Sequence, residues 1–142
     1  METKPLVVTR TYNAPVTHVW QALTDVEKMR QWYFDLKDFK AEIGFKFNFV
    51  GCDHDGENFI HLCEVTEVIP ETKLTYSWKY DGYDGISYVT FELFPEDDKT
   101  KLILTHTDLD TFPSIEELKR DNFEKGWNQI LGTSLKEYVE KK

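Results

Sequence analysis

Between residues 45 and 107 the chain reads as one strand after another, each closed by a turn signal. FKFNFV (45–50) alternates, and NFIHLCEVTEVI (58–69) is long and mixed. KLTYSWKY (73–80) sets Leu74, Tyr76, Trp78 and Tyr80 on one face and Thr75, Ser77 and Lys79 on the other. SYVTFELF (87–94) groups Val89, Phe91 and Leu93, and TKLILTHT (100–107) aligns Leu102, Leu104 and His106. A period of two belongs to strands. The separators are Asp55-Gly56, Pro70-Glu71, Asp84-Gly85 and Glu96-Asp97-Asp98. Consecutive strands with short turns predict an antiparallel meander.

Both ends depart from that pattern. PLVVTRTY (5–12) is rich in β-branched residues and reads as a first strand. Pro15 suits the first turn of a helix, where its missing N–H costs nothing. Val16, Val19, Trp20 and Leu23 then fall on one helical face. Thr24 or Asp25 can cap a second short helix with a stripe of Val26, Met29, Trp32 and Tyr33. Each tryptophan is expected to be the largest inward knob of its helix. Ser114 and Glu117 make a capping-box pattern for a brief helix. A longer helix runs from about Asn122 to the end. Its stripe is Phe123, Trp127, Ile130, Leu131, Ser134, Leu135 and Tyr138 at 100° per residue. Gly126 and Gly132 inside it each cost roughly 1 kcal/mol against Ala, which points to close packing or a need for space. The class is therefore α+β: a curved antiparallel sheet wrapped around a long C-terminal helix, with two short helices after strand 1. Such an arrangement leaves a gap between helix and sheet.

Composition narrows what that gap could serve. A chain of 142 residues is expected to be a single domain, 1–142. Its net charge of -9 argues against a nucleic-acid backbone or an anionic membrane as partner. METKPLVV is no signal pattern, and no run approaches a membrane span, so a cytoplasmic location is expected. Cys52 and Cys63 are then expected to be reduced thiols. Aromatic residues, with ten Phe, seven Tyr and four Trp, are plentiful enough to line a cavity as well as fill a core.

Four stretches carry a family resemblance that runs in order through nearly the whole chain. They are NAPVTHVWQALTDVEKMRQW (13–32), KLTYSW (73–78), TKLILTH (100–106) and Gly126-Trp127 followed by Leu131 and Leu135. Together they resemble the START-like, or SRPBCC, superfamily, and within it the domain named for the activator of heat-shock protein 90 ATPase. The resemblance implies a helix-grip fold. It implies a hydrophobic small-molecule ligand, such as a lipid or a polyketide-like compound, and in some members cyclase or dehydratase activity. No shared catalytic motif comes with it. The chaperone activators carry a separate amino-terminal docking domain for which these residues leave no room, so a chaperone partner is not expected.

The residues themselves offer several sites. Tyr76, Trp78, Phe91, Leu104, His106, Trp127 and Leu131 are the expected lining of a ligand cavity. His106 continues the apolar row of Leu102 and Leu104, where it could orient a ligand or act as a general base. Cys52, His54, His61 and Cys63 cluster around one hairpin, but their spacing matches no strong zinc pattern, and no metal is expected. Phe45, Phe47 and Phe49 share a face either with His61, Cys63 and Val65 or with Ile60, Leu62 and Glu64, depending on register. Val65 is expected to point inward; an inward Glu67 would be a carboxylate beside an apolar gap. His18 lies off its helix's stripe and is expected at the surface. DGYDG (81–85) reads as a turn, and no P-loop, dinucleotide or hydrolase motif is present, so no cofactor is expected.

Overall fold

The first strand, β1 (Leu6–Tyr12), turns Leu6, Val8 and Tyr12 into the core. Helix α1 (Val16–Thr24) starts where Pro15, at φ -69°, offers its carbonyl to the N–H groups of His18 and Val19. Asp25 ends α1 and caps α2 (Val26–Trp32), its Oδ1 accepting from the N–H of Glu27 at 2.9 Å and of Lys28 at 3.4 Å. Trp32 is buried and its Nε1–H donates to the Ala22 carbonyl at 2.8 Å, tying the two helices together. Trp20 is half-buried and packs against the rim of the core; the inward positions of α1 are Val19, Ala22 and Leu23. His18 is half-buried too, stacked on Tyr138. The computed structural model describes residues 5–33, 36–52, 58–112 and 120–140; the capping-box pattern at Ser114 and Glu117 lies outside them.

Strands β2 (Lys46–Cys52), β3 (Asn58–Ile69), β4 (Lys73–Tyr80), β5 (Ser87–Glu96) and β6 (Lys99–Thr107) form the predicted meander. The sheet order is β1-β6-β5-β4-β3-β2, antiparallel throughout. Its inward face gathers Leu74, Tyr76, Trp78 and Tyr80 with Val89, Phe91, Leu93, Leu102, Leu104 and His106, all buried. Register decides the face of the second hairpin. Phe47 pairs with Cys63 and Phe49 with His61, so all four point inward with Val65, and Ile60 faces out. An irregularity between Val65 and Glu67 turns Glu67 away, where it meets Lys73 at 3.1 Å with 45% of its side chain exposed. No carboxylate enters the core there.

The C-terminal helix is not uniform. It runs as α3 (Arg120–Gln129), a π-helical stretch (Ile130–Leu135) and α4 (Lys136–Val139). The buried positions explain the wide turn. Phe123, Trp127, Leu131, Leu135 and Val139 are buried at a strict interval of four. In a regular α-helix each step of four overshoots the turn by about 40°, so such a stripe would wind off the sheet. The wider π turn brings it back. Two contacts from β1 sit at or beside this stretch. The buried Tyr12 hydroxyl donates to the Leu131 carbonyl at 2.8 Å, and Arg10 reaches past Gly132 to Asn128 Oδ1 at 2.6 Å. A Cβ on Gly132 would stand 3.2 Å from Arg10 Nε, whereas one on Gly126 would meet nothing within 4 Å. Close approach accounts for the first glycine only. The sheet curves around this helix, which is the helix-grip arrangement. Among the described residues no helix is long and apolar enough to cross a membrane.

Candidate functional site

The seven residues named from sequence, Tyr76, Trp78, Phe91, Leu104, His106, Trp127 and Leu131, meet in one buried layer between the sheet and the C-terminal helix. Trp127 comes down from the helix onto Trp78 (ring centroids 5.5 Å apart), Phe91 (6.0 Å) and His106 (6.0 Å). The layer extends further than those seven. Phe49 lies flat on His61 at 4.5 Å, and His61 meets Trp78 and Tyr80 at 4.9 and 4.8 Å. Tyr80 continues to Phe112, and Phe112 to Phe123. Tyr33, at the end of α2, faces Trp127 at 6.3 Å and Phe49 at 6.0 Å. Rings from the helices, five strands and the segment after β6 thus form a continuous aromatic wall.

His106 is fully buried within it, and its hydrogen bonds fix its chemistry. The Trp127 indole can only donate, so its Nε1–H at 3.0 Å makes His106 Nδ1 the acceptor. The ring proton is then on Nε2, which donates to Ser87 Oγ at 2.7 Å. Ser87 Oγ passes its own hydrogen to the Trp78 carbonyl at 2.9 Å. Every position in this chain is used. Burial lowers the His106 pKa to about 3, and no carboxylate offsets that. A general base needs a free lone pair and a pKa near the working pH. His106 has neither. It is a neutral pillar joining helix to sheet.

Other polar groups in the layer include the His61 ring, tyrosine hydroxyls and one thiol. Tyr33 and Tyr76 join oxygen to oxygen at 2.8 Å, and Trp78 Nε1–H donates to Tyr80 Oη at 2.9 Å. Burial raises the pKa of Tyr33, Tyr76 and Tyr80, so all three stay neutral. Burial likewise pushes the Cys63 thiol up, which disfavours the thiolate a metal would need. Among the described residues no three His, Cys, Asp or Glu side chains come together. His54 and the side chain of Cys52 lie outside those residues.

Ser87, Tyr33 and Phe112 are participants that sequence reading did not point to. Ser87 is the next inward position before Val89, so carrying the strand alternation back one step would have found it. Tyr33 was visible only as the last residue of a helical stripe; nothing in the sequence announces its meeting with Tyr76, which is 43 positions away.

Comparison with known proteins adds a frame to this geometry. The family model described as Activator of Hsp90 ATPase homolog 1-like protein matches residues 13–140. No curated protein matches the sequence. Protein CV1439 from Chromobacterium violaceum superposes with a TM-score of 0.83 at 20% identity, covering 97% of this chain and 98% of its own. CalU16 from Micromonospora echinospora gives 0.73 at 26% identity, over 95% of this chain and 73% of its own. DynU16, a protein in the dynemicin biosynthetic locus, gives 0.79 at 23% identity, over 99% of this chain and 48% of its own.

Proposed function

The chain belongs to the Activator of Hsp90 ATPase homolog 1-like family, and from that premise we propose that it binds an apolar or aromatic small molecule between the sheet and the C-terminal helix. Members of this fold bind hydrophobic ligands. The observation that carries the reading is the aromatic wall itself. It continues from Tyr33 through Phe49, His61, Trp78 and His106 to Phe123, with Trp127 packed on Trp78 and His106, and both nitrogens of His106 are already bonded. A lining of rings with a few placed hydroxyls is what holds flat, uncharged ligands. In this reading Tyr76, Trp78, Phe91, Leu104, His106, Trp127 and Leu131 form the wall that faces the ligand.

A cyclase or dehydratase reading would need an acid or base in the layer. His106 cannot serve, and Glu67 faces out. Native mass spectrometry of the protein incubated with lysate of its own host tests the binding reading. Retention of a small molecule that is lost on denaturation is the expected result. A bare protein mass, together with no binding of environment-sensitive apolar dyes, would overturn it.

A further inference from the structure

Strand β2 ends the sheet on one side, and its backbone is only half used. The Asp81 N–H donates to the Ile60 carbonyl at 3.0 Å, so Ile60 turns its backbone toward the β4 side. Successive residues of an antiparallel strand turn theirs to opposite sides, so His61, Cys63 and Val65 face β2. The Val65 N–H accordingly donates to the Phe45 carbonyl at 2.9 Å. Phe47 and Phe49, paired with Cys63 and His61, therefore spend their N–H and C=O groups on β3. Lys46, Asn48 and Val50 aim theirs at the open side, where no described residue bonds them. The side chains of these three are exposed. Natural sheets guard such an edge with prolines, bulges or several charges. Strand β2 has no proline and one charged residue, Lys46, and the irregularity of this hairpin lies on β3.

We propose that β2 is the contact strand of a homodimer, pairing antiparallel with β2 of a second copy about a two-fold axis at Asn48. That register faces Asn48 with Asn48 of the second copy, and Lys46 with Val50 of the second copy. Each facing pair exchanges both backbone bonds, so all the open residues are satisfied. A two-fold contact of this kind is closed and stops at two copies. Charge and shape favour a second copy over an unrelated strand. A net charge of -9 makes copies repel, and β2 offers them a meeting line with no acid. The register also sets no lysine against a lysine. Val50 and Ile60, directly paired and 56% and 43% exposed, form an apolar step beside the edge. The aliphatic stem of Lys46 from the second copy covers that step in this register.

Sedimentation equilibrium from about 1 μM to about 1 mM spans weak association, and the wild type is expected to dimerise within it. Hydrogen exchange at the two ends of that range reads the register. Amides of Lys46, Asn48 and Val50 slow in the concentrated sample, while those of Phe47 and Phe49 do not change. Two surface variants act with opposite sign, because residue 50 faces Lys46 of the second copy twice in each dimer. Val50→Glu is expected to dimerise about two- to thirty-fold more tightly than Val50→Lys, from two charge pairs of about 0.2–1 kcal/mol each. Added salt narrows that gap. Circular dichroism confirms the fold of both variants. A wild type that stays monomeric leaves the edge to water or to a foreign strand and overturns the pairing. So does a dimer whose alternate amides are not slowed, or one in which the two variants associate equally.

Discussion

His106 shows how one buried side chain sets a pH limit on the fold. Its pKa falls from 6.5 in the unfolded chain to about 3 in the folded one. Between those values the unfolded state binds more protons, so this contribution to stability is complete above pH 6.5 and drains away as pH falls toward 3. The slope approaches roughly 1.4 kcal/mol per pH unit inside that window. Urea titrations at pH 7, 5.5 and 4.5 should show this slope in the wild type and a clearly shallower one in His106→Gln; equal slopes would mean that His106 is protonated without cost. Two glycines give predictions of opposite sign. Gly85 has φ +104°, and a Cβ there would sit 2.3 Å from the Thr111 carbonyl oxygen. Gly85→Ala should therefore lose at least the 1–3 kcal/mol typical of a strained backbone, about that much before the clash is counted. Gly126→Ala meets nothing and should gain up to about 1 kcal/mol from helix propensity alone. Thermal melts of the pair check both signs.

At the scale of elements, the π stretch is where the C-terminal helix and β1 accommodate each other. The Tyr12 hydroxyl takes the Leu131 carbonyl inside that stretch, and both residues are fully buried. Tyr12→Phe leaves a buried carbonyl without this donor, for an expected loss of about 1–3 kcal/mol. Hydrogen exchange should localise the effect, with amides of residues 130–139 losing protection more than those of α1. A uniform loss across the protein would show that Tyr12 supports the fold globally, not the wide turn. Asp25 plays the comparable part between the first helices, its backbone N–H closing α1 on the Gln21 carbonyl and its carboxylate capping α2. Its pattern could be read from the sequence because a cap acts over three residues. The Tyr12–Leu131 contact, 119 positions apart, could not.

For the whole molecule, Trp127 is the meeting point. It touches Trp78 on β4, Phe91 on β5, His106 on β6 and Tyr33 at the end of α2. Truncation to Ala at a packed core site removes about 3–5 kcal/mol. If the site borders a ligand cavity, part of that packing is already absent. Stability should then fall by less than about 3 kcal/mol, while affinity for an apolar dye changes several-fold. Denaturant unfolding of Trp127→Ala beside dye binding separates the cases. A larger loss, with no dye bound by wild type or variant, would close the helix–sheet gap and remove the proposed site.

Strand positions and the inward rows of β4, β5 and β6 were legible because alternation is a local property, imposed residue by residue by the pleat, while the turn expected at Asp55-Gly56 lies outside the described residues. The two short helices were legible for the same reason, through Pro15 and Asp25. So were the seven residues that meet in the interior layer, since a strand row and a helical stripe each name their own inward side. What tertiary structure decided was every relation between elements. It chose the register that turns His61 and Cys63 inward with Phe47 and Phe49, and the irregularity that turns Glu67 out. It drew Tyr33 onto Tyr76 and committed both nitrogens of His106. It widened the last helix so that a four-residue stripe could stay on the sheet. Periodicity tells a side chain which way to face, but only packing, through hydrogen bonds and ring contacts at fixed distances, tells it what it will meet.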